Sequence, residues 1–338
     1  MLSTRTGTIL KSIVGQYIDK AIPVPSQYIA TDPELMVSPA TIRNEMAHLE
    51  QEGYIIRPHI SAGSVPSDKG YRYYVESLEN IQLPQAEQRF VSHLFHQVEK
   101  EVEQWLNLAS TLLAQLVKNL AVVTLPKSMD CKFKHIELVS MRDSLALLVL
   151  ILYGAKVKQK LITFNEVVTQ LELTAIANKL NDYYSGLAGG QIKATDKELS
   201  QAEQQITDLT VEIMRAEDEQ ELEEPHLDGL HFILGQPEFT GGHQGCNLME
   251  LVEQRNLLKA IIPHEPPYYR LHIIIGKENE AEALHNYSVV LSQYGIPDEA
   301  MGTLGVIGPT RMAYAHAIPT VNYLSSILSE LVSGLYGK

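Results

Sequence analysis

Ser38-Pro-Ala-Thr-Ile-Arg-Asn-Glu-Met-Ala-His-Leu-Glu50, closed by Gly53, is the stretch whose reading decides how the chain begins to fold. Serine before proline is a helix start. The serine oxygen accepts an orphan N–H, and proline sits where its missing N–H costs nothing. Ile42, Met46 and Leu49 then recur at helical spacing as one apolar face, and Gly53 ends the helix. The opposite face carries Ala40, Thr41, Arg43, Asn44, Ala47 and His48. Working outward, Ile9, Leu10, Ile13, Val14, Tyr17 and Ile18 predict an amphipathic helix upstream. It breaks at Ile22-Pro-Val-Pro25, Ser26 opens a short helix through Ala30, and Thr31-Asp-Pro-Glu34 is a turn. Downstream, Tyr54-Ile-Ile56 and Gly70–Val75 read as strands around a Gly-, Ser- and Pro-rich stretch, 58–66, which predicts a β-hairpin.

A helix–turn–helix followed by a hairpin is a winged-helix pattern, whose chemistry is major-groove reading. Arg43 suits guanine O6/N7 or phosphate, and Asn44 suits adenine N6/N7. Ser38 and Thr41 stand at the positive helix end, where phosphate is favoured. His48, Arg57, Lys69 and Arg72 complete the expected DNA-facing set. The same residue types also suit a solvated face or a protein contact.

The rest of the chain alternates. A helical stretch from Pro84 to Leu120 has Phe90, Leu94, Val98, Val102, Leu106, Leu113 and Leu116 as its expected inner stripe. Lys134–Val139, Leu145–Tyr153 and Lys156–Phe164 predict an antiparallel meander. Helices at 171–184 and 196–219 flank the turn Gly186–Gly190. The second places Leu199, Ala202, Ile206, Leu209, Ile213 and Ala216 at 3-4-3-4-3 spacing, a short coiled-coil-like seam. Glu217–Glu224 is an acidic linker. A helix (Leu248–Ile262), strands at Arg270–Ile275 and Val289–Tyr294, and a strand–loop–helix from Gly302 to Leu335 finish the chain.

Across 338 residues, 41 acidic against 27 basic side chains give −14, a balance that repels polyanions. The first 75 residues hold seven of each sign, so the whole excess lies beyond them and any polyanion contact belongs at the N-terminal end. Two cysteines, Cys131 and Cys246, fit a reducing compartment. With no signal-peptide pattern and no apolar run longer than Leu145–Tyr153, a soluble, cytoplasmic protein without membrane contact is expected.

Val37–Glu50, Arg57-Pro-His-Ile-Ser-Ala-Gly63 and Val65-Pro-Ser-Asp-Lys-Gly-Tyr-Arg72 resemble the HrcA family of heat-inducible transcription repressors. Gly276-Lys-Glu-Asn279, Ser288-Val-Val290, Tyr294-Gly295, Leu304–Met312 and Tyr323–Glu330 resemble its C-terminal signature, while 165–245 matches only loosely. The resemblance implies an α+β multidomain protein. Residues 1–80 would form a winged helix-turn-helix DNA-binding domain. Residues 85–168 and 238–338 would form a GAF-like α/β domain with an antiparallel sheet, and 169–237 an inserted, mainly helical dimerisation domain. Leu199, Ala202, Ile206, Leu209 and Ile213 would then be dimer contacts. The partners implied are double-stranded DNA carrying an inverted repeat upstream of chaperone operons, a second copy of the chain, and the GroEL chaperonin. Two positions depart from the family: Gln27 replaces a usual basic residue, and Ser64 an arginine at the expected wing tip. Each loss should lower the salt slope by about one unit.

Other features carry no chemistry. His243-Gln-Gly-Cys246 has too few ligands for a zinc site. Gly302-Thr-Leu-Gly-Val-Ile-Gly-Pro-Thr310 lacks the Gly-Lys-Ser/Thr ending of a phosphate loop and reads as a strand turning into a helix. Tyr268-Tyr269 reads as a packed strand edge, and neither His135 with Glu137 nor Asp143 forms a nucleophile–base pair. No enzyme activity, cofactor or metal is expected. The competing function is a small-molecule-gated regulator with the GAF-like domain as sensor.

Overall fold

The computed structural model describes residues 2–31, 37–59, 62–78, 81–98, 101–126, 131–142, 144–153, 157–194, 198–219, 225–239, 249–250, 260–261, 271–297 and 300–335. It is a mixed α and β structure that divides into two compact units. One comprises Met1–Leu125, Glu224–Tyr294 and Thr303–Glu330. The other comprises Pro126–Glu223, Gly295–Gly302 and Leu331–Lys338.

The first unit opens with α1 (Thr4–Lys20), α2 (Ser26–Ala30) and α3 (Pro39–Gln51). Ser3 caps α1 by accepting the Thr6 N–H at 3.1 Å. Ile9, Leu10, Ile13 and Val14 of α1 are fully buried, as are Ile29 of α2 and Ile42 and Leu49 of α3. Each such side chain contributes about 1.5–3 kcal/mol over its exposed state. β1 (Ile55–Ile56) and β2 (Val65–Pro66) form a two-stranded antiparallel ribbon. The stretch read as a second hairpin strand, Gly70–Val75, instead lies inside α4 (Asp68–Glu76). Ser67 accepts the Gly70 N–H at 3.2 Å and donates to the Gly53 carbonyl at 2.6 Å, and Tyr71 and Val75 bury one helical face. A Cβ on Gly70 would stand 2.2 Å from the Tyr54 carbonyl oxygen, so only glycine allows this approach.

The long helix expected over 84–120 is two helices, α5 (Gln85–Gln97) and α6 (Val102–Val117). Leu106 and Leu113 of the expected inner stripe are buried on α6, but on α5 the stripe is displaced: Val91 and Phe95 are buried, whereas Phe90 is 52% exposed. Lys118 takes a left-handed φ of 56° and closes α6, after which Leu120–Val123 is strand β3.

The same unit holds a five-stranded sheet. Its further strands are β7 (His226–Asp228), β8 (Leu271–Ile275), β9 (Tyr287–Ile296) and β10 (Ala300–Pro309), in the order β7-β3-β10-β9-β8. Both faces of β3 are buried, and Tyr287–Ser292 of β9 and Leu304–Pro309 of β10 are likewise enclosed. Short helix α10 (Leu230–Leu234) and the final helix α11 (Tyr314–Leu335) complete the described part. Gly302–Thr310 is thus a strand end and turn before a helix, as its sequence suggests.

The second unit contains the expected meander: β4 (Phe133–Arg142), β5 (Leu145–Leu152) and β6 (Val157–Thr163), antiparallel in that order. Grouped by the sequence reading with the GAF-like region, these strands form a separate sheet and pack with α7 (Gln170–Tyr184), α8 (Gly189–Ala194) and α9 (Gln201–Glu219). Phe133, Ile136, Leu138, Leu148, Leu150 and Ile162 face Leu173, Ala177, Leu180, Ile206 and Met214. The expected seam along α9 is therefore partly this unit's own core. Ile206 is fully buried, while Leu199, Ala202, Leu209 and Ile213 are half-buried against the same cluster. The inward line of α9 includes Glu203, Thr207, Thr210, Met214 and Glu217. Glu203 is held by the Lys179 ammonium at 2.9 Å and the Ser200 N–H at 2.7 Å.

Candidate nucleic-acid interface

Helix α3 is built to present one face. Ser38 Oγ accepts the Thr41 N–H at 3.2 Å and lies 2.9 Å from the Thr41 hydroxyl, so the cap ties together two residues expected at phosphate. Ile42, Met46 and Leu49 anchor the inner side. Glu45 pins the flank, accepting the Thr6 hydroxyl at 2.8 Å and facing Arg5 at 3.8 Å. What remains outward is Ala40, Arg43, Asn44, Ala47 and His48, all exposed, with Thr41 half-buried at the edge. Small residues flanking Arg43 and Asn44 let the helix backbone come close to a groove floor, and donors of the two types that read guanine and adenine edges stand on the same ridge.

Arg57 follows β1 and pairs with Glu50 of α3 at 3.2 Å, beside that ridge. Lys69 has a different task. Its ammonium donates to the Glu52 carbonyl at 2.8 Å and stands 4.1 Å from the centre of the Tyr54 ring. A cation on the last carbonyls of α3 complements the helix dipole. Arg72 is removed from the set. It lies on α4, where Nε donates to Glu278 Oε1 at 2.9 Å and Nη2 to the Ile273 carbonyl at 2.8 Å. Reading Gly70–Val75 as a hairpin strand is what placed it at a wing.

Ser64 also differs from expectation. It is 1% exposed and exchanges backbone hydrogen bonds with Val24 at 2.8 and 2.9 Å, so the residue where the family has arginine is enclosed rather than at a tip. Gln27 is exposed on α2. A feature absent from the sequence reading sits next to it. Tyr28 is 48% exposed with the Lys20 ammonium 5.1 Å above its ring. A five-residue helix is too short for periodicity to reveal an outward aromatic.

Among the described residues no group of three or more His, Cys, Asp and Glu side chains could hold a metal ion. His243–Cys246 and Tyr268-Tyr269 lie outside the described residues, as do Asp143 and most of the helix expected at 248–262. No helix among those described is long and apolar enough to cross a membrane.

The family model described as "HrcA protein C terminal domain" matches residues 103–318. The heat-inducible transcription repressor HrcA of Dehalococcoides mccartyi (strain CBDB1) is 54% identical over 338 residues, covering 100% of this chain and 98% of its own. That of Roseiflexus castenholzii is 38% identical over 348 residues, covering 99% and 96%. A crystal structure of a protein described only as hypothetical matches the fold with a TM-score of 0.64, at 23% identity over 99% of both chains. The class these findings define is a transcription regulator rather than an enzyme. Within that class, the chain belongs to the HrcA family of heat-inducible transcription repressors.

Proposed function

We propose that this protein is a sequence-specific DNA-binding repressor of heat-shock chaperone operons, acting in the cytoplasm as a homodimer on an inverted-repeat operator. In this reading residues 2–78 are the winged helix-turn-helix and the five-stranded sheet belongs to a GAF-like domain. The capped α3 carries the argument, with Arg43, Asn44 and His48 exposed on one ridge and the apolar side fully enclosed. Ser38 and Thr41 face phosphate, Arg43 and Asn44 base edges, and Arg57 the flanking backbone.

The dimer contact is reassigned from the α9 seam to the outer face of the three-stranded sheet. β5 reads Leu-Ala-Leu-Leu-Val-Leu-Ile-Leu, a continuous apolar run of the kind found in strands covered on both sides. Its outward residues Leu145, Leu147, Val149 and Ile151 are half-buried, and their register neighbours Val139, Val157 and Leu161 are 40%, 53% and 58% exposed. A patch of this kind marks a protein contact, and a twofold operator calls for a second copy. Loss of activity on heating, and support by GroEL, are carried over from the family: a marginal native state makes the repressor its own thermometer.

Fluorescence anisotropy on a spaced inverted repeat against a scrambled duplex, at two salt concentrations, tests the reading. Preference for the repeat that survives the higher salt is expected, and equal binding erased by salt refutes it. Arg43→Ala and Asn44→Ala should each cost about 1–3 kcal/mol at particular base pairs. For the chaperonin link, full recovery of DNA binding after heating, with no gain from added GroEL, is the refuting result.

A further inference from the structure

The N-terminal helices and the C-terminal strands lie in one compact unit, and arginine contacts join them at two separate places, one a carboxylate fork and the other a single hydrogen bond from a braced guanidinium. At the first, Arg72 of α4 grips both carboxylate oxygens of Glu278 and the Ile273 carbonyl on strand β8. Glu278 is itself held, accepting the Ile275 N–H at 2.8 Å. Alongside, Asp68 accepts the Lys277 N–H at 3.1 Å, and the Tyr71 ring lies 6.1 Å from that of Tyr314. Tyr314 is fully buried, and its hydroxyl donates to the Thr310 carbonyl and accepts from the Ser288 hydroxyl, both at 2.7 Å. At the second place, Arg311 pairs through two nitrogens with Glu238, reaches Gln236 at 3.2 Å, and donates to the Ile18 carbonyl near the end of α1 at 3.4 Å.

An arginine–carboxylate fork fixes direction as well as distance, which a single hydrogen bond does not. One such joint leaves rotation about itself. A second contact opposes that rotation, the Arg311 hydrogen bond to the Ile18 carbonyl at the end of α1, and both helices pack in the same small core as α3. Domains within a chain ordinarily move relative to one another unless the interface restrains them. We infer that the Arg72–Glu278 fork and the Arg311 contact to the Ile18 carbonyl, with Glu238 bracing the Arg311 guanidinium, form a two-point latch whose residues are positioning residues. They hold the reading helix at a set attitude on the body, so that the dimer selects the spacing between operator half-sites as well as their sequence. The latch rests on the DNA-binding reading for its consequence but not for its existence.

The test uses the full chain with Glu278→Gln, Arg311→Gln and the double variant, and Asp68→Asn as a milder break. Hydrogen exchange without DNA is the first arm. Protection across 68–76 and 275–279 should fall by about tenfold in the double variant while α3 stays protected. Unchanged exchange overturns the latch. The second arm measures affinity for a single half-site and for inverted repeats whose spacer changes one base pair at a time. Half-site affinity should remain within about twofold of wild type, and the wild-type preference among spacers should flatten to about threefold or less. Retained spacing preference in a variant whose exchange has risen overturns the positioning role. So does tighter binding at every spacing, which would make the contact a restraint on DNA binding. Wild-type protein that binds neither duplex refutes the DNA reading, and the exchange arm then still decides whether the latch exists.

Discussion

Gly276 offers the sharpest energetic test of how the N-terminal helices are seated. It holds a φ of +54° at the turn after β8, and a Cβ built on it would lie 2.4–2.6 Å from the Asp68 carboxylate. Gly276→Ala therefore carries two costs. The left-handed conformation of a residue with a Cβ costs about 1–2 kcal/mol. The Asp68 carboxylate must also withdraw and give up the Lys277 N–H, a solvent-exposed hydrogen bond worth about 1 kcal/mol. The sum is about 2–3 kcal/mol, and at roughly 2–4 °C per kcal/mol for a body of this size Tm should fall by about 4–12 °C. Calorimetry on Gly276→Ala, Asp68→Ala and the double variant separates the parts. With the carboxylate gone, only the backbone cost remains, so the glycine substitution should be about 1 kcal/mol cheaper in the Asp68→Ala background. Strict additivity would refute the account, because it would mean that the close approach of Asp68 to this turn contributes nothing.

Four further outcomes are expected. Leu147→Lys or Leu161→Glu, on the outer face of the β4–β6 sheet, should give a folded monomer in sedimentation velocity, and an unaltered dimer would return the contact to α9. Ser67→Ala removes both the α4 cap and a bond to the Gly53 carbonyl, so it should lower stability by about 1–2 kcal/mol in urea unfolding. Tyr71→Phe deletes a buried hydroxyl that has no hydrogen-bond partner among the described residues, and should be neutral or stabilising by about 1 kcal/mol in the same assay. Glu203 gives a pH test. Burial pushes its pKa up, but the Lys179 and Ser200 hydrogen bonds outweigh this and hold it below the ordinary glutamate value. A depressed folded value means the stabilisation is complete above about pH 4.3, the unfolded glutamate value, and is lost as pH falls through the folded one. Lys179→Met should abolish that acid-side loss in pH-dependent unfolding, and an unchanged slope would show that the pair does not govern it.

Local chemistry explains what the sequence alone could reveal. Ser38-Pro39 with Ile42, Met46 and Leu49 states a helix start and an inward face within one short stretch, and α3 follows it. The meander was equally legible, since Leu145–Leu152 is apolar at every position. Gly70–Val75 reads as a strand because Tyr71, Tyr73, Tyr74 and Val75 favour strands by composition. The contrary signal was there, in Ser67 three residues before Gly70 and in Tyr71 and Val75 four apart. Phe90 falls in one stripe with Leu94 and Val98 at four-residue spacing, although Val91 and Phe95 give the buried period. Arg72 was beyond any local reading, since its partner Glu278 lies 206 residues away. The outward ridge of α3 could be drawn from periodicity, whereas the basic residues beside it could not be sorted into those facing DNA and those holding the fold.

The seam along α9 is of another kind, and it bears on how the second unit assembles. An apolar 3-4 repeat identified the helix, and its members are shared with this unit's own core, Ile206 fully buried and Leu199, Ala202, Leu209 and Ile213 half-buried against it. The line turned most deeply inward includes Glu203, Thr207, Thr210 and Glu217, whose polar atoms are paired inside. Buried polar groups cost stability unless satisfied, and these are satisfied within a core that is otherwise apolar, built from Phe133, Ile136, Leu148, Leu150 and Leu173. Further apolar residues stand on the far side of the sheet, at Leu145, Leu147, Val149, Ile151 and Leu161. A strand apolar on both faces, with one face already packed on its own helices, is intelligible as an element whose second face is completed by another chain, and it supports the sheet face as the place where two copies meet.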